Sequence, residues 1–157
     1  MEEQLLNLSQ QIPFDQDDVP TYTPGQRSQI LGTAELYRMA ALLYLRRVMT
    51  PLALGKPDPL PGYVDDAFAV LRSLPACTSP WPLFVLACEG ETDEHRITIL
   101  TRLHEMHEKR AIGNVFVLGD MVESLWKQKD LLADSGQPWT FQWWDPDNIE
   151  SSTPWFI

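Results

Sequence analysis

Apolar positions along the chain recur at helical spacing. From Ala34 to Val48 almost every residue is apolar, and Glu35, Arg38 and Arg46 share one narrow stripe with Leu42 at 100° per residue. Thr33 reads as the N-cap of this helix, and Pro51 follows its end. A helix apolar nearly all round is expected in the middle of a bundle. Arg46 and Arg47 at its C-terminal end suit the helix dipole. Over about 63–74, Val64, Ala67, Phe68, Leu71 and Leu74 repeat at i, i+3, i+4, i+7 and i+10, with Asp65 and Asp66 favourably placed in the first turn. Pro80-Trp81-Pro82 opens a short apolar helix, Leu83 to Glu89, which Gly90 ends.

Thr92 caps a further helix to about Lys109, whose expected apolar arc is Ile97, Ile99, Leu100, Leu103 and Met106. Gly113-Asn114 starts the next, over about 115–129. Val115, Leu118, Met121, Val122, Leu125 and Trp126 share one face there, and Asp120, Glu123 and Lys127 the other. A short helix is expected over 2–11, with Leu5, Leu6, Leu8 and Ile12 as apolar contacts. Prolines and glycines break periodicity over 13–25 and again over 51–62. The best strand candidate, Val115-Phe116-Val117-Leu118, is short and continues a helical face. The expected fold is therefore all-α, a bundle of about five to six helices without internal repeats.

Charge divides the chain. Of 22 acids and 12 bases among 157 residues, five acids and no base lie in residues 1–24, and five acids and no base in 130–157. The middle is balanced by count. We expect an acidic N-terminal segment (1–26), a helical body (27–130) and an acidic, Trp-rich tail (131–157). A net charge of −10 argues against a nucleic-acid surface, which needs clustered Lys and Arg to neutralise phosphates. The Met1-Glu2-Glu3-Gln4 start has no basic region and no long apolar run, so the protein is not expected to be secreted, and no apolar stretch is long enough to span a membrane. Two cysteines, Cys77 and Cys88, are too few for a disulfide framework or a four-cysteine zinc site and are read as packed thiols.

Little in the sequence assembles chemistry. The best metal candidate is His95 with His104-Glu105 and His107-Glu108, but the zincin His-Glu-x-x-His spacing and the paired Glu-x-x-His of di-iron bundles are both missing. His104 and His107 are expected at the core margin. No nucleophile elbow or phosphate-cradling loop occurs. No catalytic residue, cofactor or metal is assigned, and a metal-dependent helical enzyme remains only as a remote alternative. Trp139, Phe141, Trp143, Trp144, Trp155 and Phe156 crowd the tail, interleaved with Asp145, Asp147 and Glu150. Such a tail either docks on the body or offers Trp139, Trp143, Trp144, Trp155 and Phe156 to a partner, and docking is the stronger expectation because four tryptophans left in water invite association.

Three blocks point further. Thr33-Ala34-Glu35-Leu36-Tyr37-Arg38-Met39-Ala40-Ala41-Leu42-Leu43-Tyr44-Leu45 resembles a signature of fungal-specific transcription factor domains. So does Trp81-Pro82-Leu83-Phe84-Val85-Leu86-Ala87-Cys88-Glu89 with Arg96 and Ile99-Leu100, and then Val122-Glu123-Ser124-Leu125-Trp126 with Asp130 and Trp139, in the same order. The resemblance covers about 33–157. It implies the C-terminal portion of a helical regulatory region downstream of a binuclear zinc-cluster DNA-binding module. That module needs six closely spaced cysteines, and this chain has two.

The resemblance implies a regulatory, protein-interaction module in the nucleus (the cytoplasm being the alternative), not itself DNA-binding, with protein partners or self-association. A second reading is a small-molecule effector sensor, with Tyr37, Tyr44, Trp81, Cys88 and Trp126 as candidate pocket residues between helices.

Overall fold

The computed structural model describes residues 2–9, 11, 22–49, 62–109 and 113–136. Six helices follow one another: α1 (Glu2–Leu6), α2 (Pro24–Met49), α3 (Tyr63–Ser73), α4 (Pro80–Glu89), α5 (Asp93–Lys109) and α6 (Gly113–Asp134). The described residues hold no strand. The fold is all-α, a helical bundle.

The short helix α4 is the hub. It touches α2, α3, α5 and α6, and every residue from Pro82 to Gly90 is buried. The sequence pattern points to α2 as the central helix, and the structure corrects this. α2 buries Leu36, Met39, Ala40, Leu42 and Leu43 but leaves Ile30, Tyr37 and Tyr44 at the surface. The reason is length. At 26 residues α2 is about 39 Å long, whereas α3 and α4, on which it packs, have 11 and 10 residues and span only about 15 Å each.

α2 also starts ten residues earlier than Ala34. Thr23 and Gln26 form a capping box: the Gln26 amide donates to Thr23 Oγ1 (3.3 Å) and the Thr23 amide to Gln26 Oε1 (2.9 Å). Pro24 occupies the first helical position, where its missing N–H costs nothing. Thr33, expected as the cap, lies inside the helix, where its hydroxyl accepts from Gln29 Nε2 (3.2 Å). Gly32 permits a close crossing, since a Cβ there would stand 2.6 Å from Leu74 Cδ2.

Side-chain to backbone bonds fasten the loops. Gln29 makes a reciprocal pair with Ala76, donating to its carbonyl (2.6 Å) and accepting from its amide (3.2 Å). Arg102 of α5 donates from Nη2 to the carbonyls of Leu71 (2.9 Å) and Leu74 (2.8 Å), groups that the end of α3 would otherwise leave without partners. The expected cap of α5 is in place, with the His95 amide donating to Thr92 Oγ1 (3.1 Å). α6 runs past Lys129 to Asp134, where Gly136 takes a positive φ of 67° and its amide donates to the Ala133 carbonyl (3.1 Å).

The arc expected on α5 is rotated. Its buried seam is His95, Ile99, Leu103 and Met106, four positions within about 80° of arc. Ile97 (64 % exposed) and Leu100 lie outside that seam and face solvent. On α6 the expected face holds: Val115, Leu118, Val122, Leu125 and Trp126 are buried, with Met121 packed against the core. α1 is shorter than expected, and Leu6 and Leu8 are exposed. It is nonetheless tied to α2, because Arg38 Nη1 donates to the Leu5 carbonyl (3.0 Å).

Candidate functional site

The aromatic residues of α2 and α4 meet on the outer face of the body. Tyr37 and Tyr44 lie two helical turns apart, on one side of α2. Trp81, in the first turn of α4, fits against both. Its ring stacks on Tyr37 (centroids 5.9 Å, planes 18° apart) and meets Tyr44 edge-on (6.2 Å, 67°). On a different side of α2, the Arg46 guanidinium sits 5.5 Å above the Tyr63 ring.

Of the five residues proposed to line a pocket, these three come together and the other two do not join them. Cys88 lies in the core at the far end of α4. Trp126 covers that end from the α6 side and donates from Nε1 to the Ala87 carbonyl (2.9 Å). The aromatic trio thus gathers at the start of α4, whereas Trp126 meets α4 near its end. Burial pushes both cysteine thiols up, Cys88 well above its ordinary value. Neither carries the depressed pKa of a nucleophile or metal ligand.

The histidines are separated too. His95 is buried flat against Phe68 (3.9 Å, planes 7° apart), with Nε2 3.3 Å from Asp65 Oδ1. His104, expected at the core margin, is 71 % exposed in its side chain and lies 3.3 Å from Glu108. The rotated seam of α5 turns it outward. His107 leans on Phe116 (4.1 Å). Among the described residues no group of three His, Cys, Asp or Glu side chains is placed to hold a metal ion. No described helix is long and apolar enough to cross a membrane. The tail residues Trp139, Trp143, Trp144, Trp155 and Phe156 fall outside the described residues.

One feature that periodicity does not reveal is a buried ion pair. Glu89, the last residue of α4, has a carboxylate 5 % exposed, and it accepts from Arg47 of α2 through Nε (2.7 Å) and Nη2 (2.5 Å). This bidentate hydrogen bonding raises the Arg47 pKa. The available signal was an acid closing an otherwise apolar run, because such a charge needs a partner in the fold.

The comparisons with known proteins agree with the architecture. The family model described as "Fungal specific transcription factor domain" matches residues 1–148. The match starts upstream of the three sequence blocks and takes in α1, consistent with the bond from Arg38 to Leu5. The transcription factor iacI of Pestalotiopsis fici is 32 % identical over 100 residues, which are 62 % of this chain. Those residues are 25 % of that protein, so the match spans a quarter of the relative's length. No solved structure matches. With most of its length matched by the family model, the chain belongs to the fungal-specific transcription factor domain family.

Proposed function

We propose that this chain is a regulatory module that works through protein contacts and does not itself bind DNA. The observation that carries the reading is the aromatic cluster of exposed Tyr37 and Tyr44 with half-buried Trp81 on a domain of this family. Aromatic side chains are enriched at protein interfaces because they bury much area at little conformational cost. The net charge of −10 supports the second half of the proposal, since phosphate binding requires a basic surface. A nuclear location follows from the family and is part of the proposal.

Two experiments test it. In a low-salt gel shift the chain alone leaves duplex DNA unretarded, and tight binding would refute the reading. Fused to an unrelated DNA-binding module in a fungal reporter strain, the chain changes transcription, and the Trp81→Ala variant changes it less.

A further inference from the structure

α2 has three faces, and the shortest described helix lies on one of them. Leu36, Met39, Ala40 and Leu43 enter the core, and Tyr37 and Tyr44 meet Trp81 on the outer side. On the third face Leu31, Glu35, Arg38, Leu42 and Leu45 fall within about 80° of arc at 100° per residue. Leu42 is only 2 % exposed, yet it stands apart from the core cluster. Among the described elements α2 touches α1, α3 and α4 alone, and α3 and α4 supply the partners of the other two faces. The third face belongs to α1, through the bond from Arg38 to Leu5.

α1 is held lightly. Its five residues make little more than one helical turn, far short of the length at which a helix stands by itself. Gln4 and Leu6 are exposed, and Leu5 is half-buried. The Leu5 carbonyl accepts from Arg38 Nη1 (3.0 Å) and from the Leu8 amide (3.4 Å). The same guanidinium is fixed independently by Glu35, to which it donates from Nε (2.8 Å) and Nη2 (2.5 Å). If α1 leaves, Arg38 keeps its carboxylate, and no charge is stranded. Opening gives up a half-buried leucine and a hydrogen bond to that guanidinium, not the core of the bundle.

We propose that α1 is a strap over this face of α2, and that it lifts away as a unit while the other five described helices stay packed. Closed, the strap covers Leu42. Open, it uncovers Leu31, Leu42 and Leu45 beside the Arg38–Glu35 pair, a second surface on α2 distinct from the aromatic cluster. Local openings of this kind come from the least stable parts of a fold, where few apolar contacts must break. The proposal goes beyond the protein-interaction reading and does not rest on it.

Thiol labelling of the full chain, with each cysteine assigned by peptide mass, tests it. Leu42→Cys reports the strap, and native Cys88, buried in α4, reports the body. The thiol at position 42 is expected to react about 10–300-fold more slowly than that of Leu131→Cys, at a highly exposed position on α6. It should react at least about tenfold faster than Cys88, which waits for openings of the body that occupy roughly one part in 10³–10⁸. Its rate should vary little in dilute urea, because lifting α1 exposes little surface, whereas the rate at Cys88 should rise steeply. Leu5→Ala and Arg38→Met, each added separately, should raise the rate at position 42 about three- to tenfold and leave Cys88 within about twofold. If Leu42→Cys loses its cooperative urea transition, Leu45→Cys, at a half-buried position on the same face, takes its place.

A thiol on this face that reacts only as fast as Cys88, with the same urea dependence, overturns the proposal, since the strap then opens only with the bundle. One as reactive as that of Leu131→Cys overturns it from the other side, because the face is then not covered. An intermediate rate that neither Leu5→Ala nor Arg38→Met alters would mean that another part of the chain covers the face, and overturns it too. Any of these leaves the gel-shift and reporter tests of the module reading untouched.

Discussion

The two flanks of α4 are joined to the body by different physics. On the α2 side the joint contains a buried ion pair, Arg47 with Glu89. On the α6 side it is mainly apolar: Leu118, Val122, Leu125 and Trp126 pack against the core, and Trp126 donates to the Ala87 carbonyl. The clasp that holds α6 to α5, Arg96 with Asp130, stands at the surface. A dry joint draws strength from area and shape and fails gradually as atoms are removed. A buried ion pair contributes little net stability, because desolvation offsets the attraction, yet it fails abruptly when one partner goes. Both flanks bury apolar side chains, and the α2 flank adds to Leu36, Met39, Ala40 and Leu43 a charged pair that fixes the arrangement of α2.

The largest single effect is expected on the dry flank. Trp126→Ala removes a buried aromatic side chain and should cost about 3–5 kcal/mol, read as a shift in the urea midpoint. Trp126→Phe keeps most of the area but takes the donor from Ala87, and should cost about 1–2 kcal/mol. Equal losses for the two variants would show that the hydrogen bond, not the packing, carries this joint.

Next comes the charged flank. Arg47→Met takes the bidentate guanidinium from the buried Glu89 and should cost about 2–4 kcal/mol, the lower end because Arg47 is partly exposed. The sharper test is the double variant. Arg47→Met with Glu89→Leu removes both charges and should recover most of that loss, a coupling of about 1–3 kcal/mol. Additive losses would mean that the pair is no unit and that the two flanks do not differ in kind. Arg102→Met is expected to rank below these, at about 1–3 kcal/mol, because the Leu71 and Leu74 carbonyls lose their donor at the end of α3.

Helix existence was legible in the sequence, and helix environment less so. The apolar faces of α3 and α6 could be read directly, because on each the apolar residues form a single stripe that packs on the core. The seam of α5 could not, since Ile97 and Leu100 look as apolar as Ile99 and Leu103, and only the packing of α3, α4 and α6 decides which of them is covered. The start of α2 was written in Thr23-Pro24-Gly25-Gln26, but Pro24, Gly25 and Gly32 read as breakers before the capping box is noticed. Among the candidate site residues, the rings of Tyr37, Tyr44 and Trp81 meet in the structure. Cys88 and Trp126 were grouped with them by their resemblance to pocket residues, but Cys88 lies in the core at the far end of α4 and Trp126 meets α4 at that end from α6. Arg47 and Glu89 were both visible, but no periodicity argument links residues 42 positions apart.

The smallest expected effect is at the surface clasp, and pH separates it from the others. Arg96 hydrogen bonds and charge hold the Asp130 carboxyl below its ordinary value. A carboxyl whose folded pKa lies below its unfolded one binds protons more weakly in the folded state. Its contribution to stability is then complete above the unfolded value and is lost as pH falls through the folded value. The side chain of Asp130 is largely exposed, so water and salt screen the pair and Asp130→Asn should cost at most about 1 kcal/mol at neutral pH. The difference in melting temperature between the native chain and Asp130→Asn should persist from about pH 7 down to about pH 5, above the unfolded value, and shrink as pH falls toward and through the lowered folded value. It should also shrink on raising salt to about 1 M. A loss as large as that of Arg47→Met, or one unchanged at acid pH, would show that the clasp acts through packing of the Arg96 guanidinium over the Trp126 ring, 5.3 Å away, and belongs to the dry joint after all.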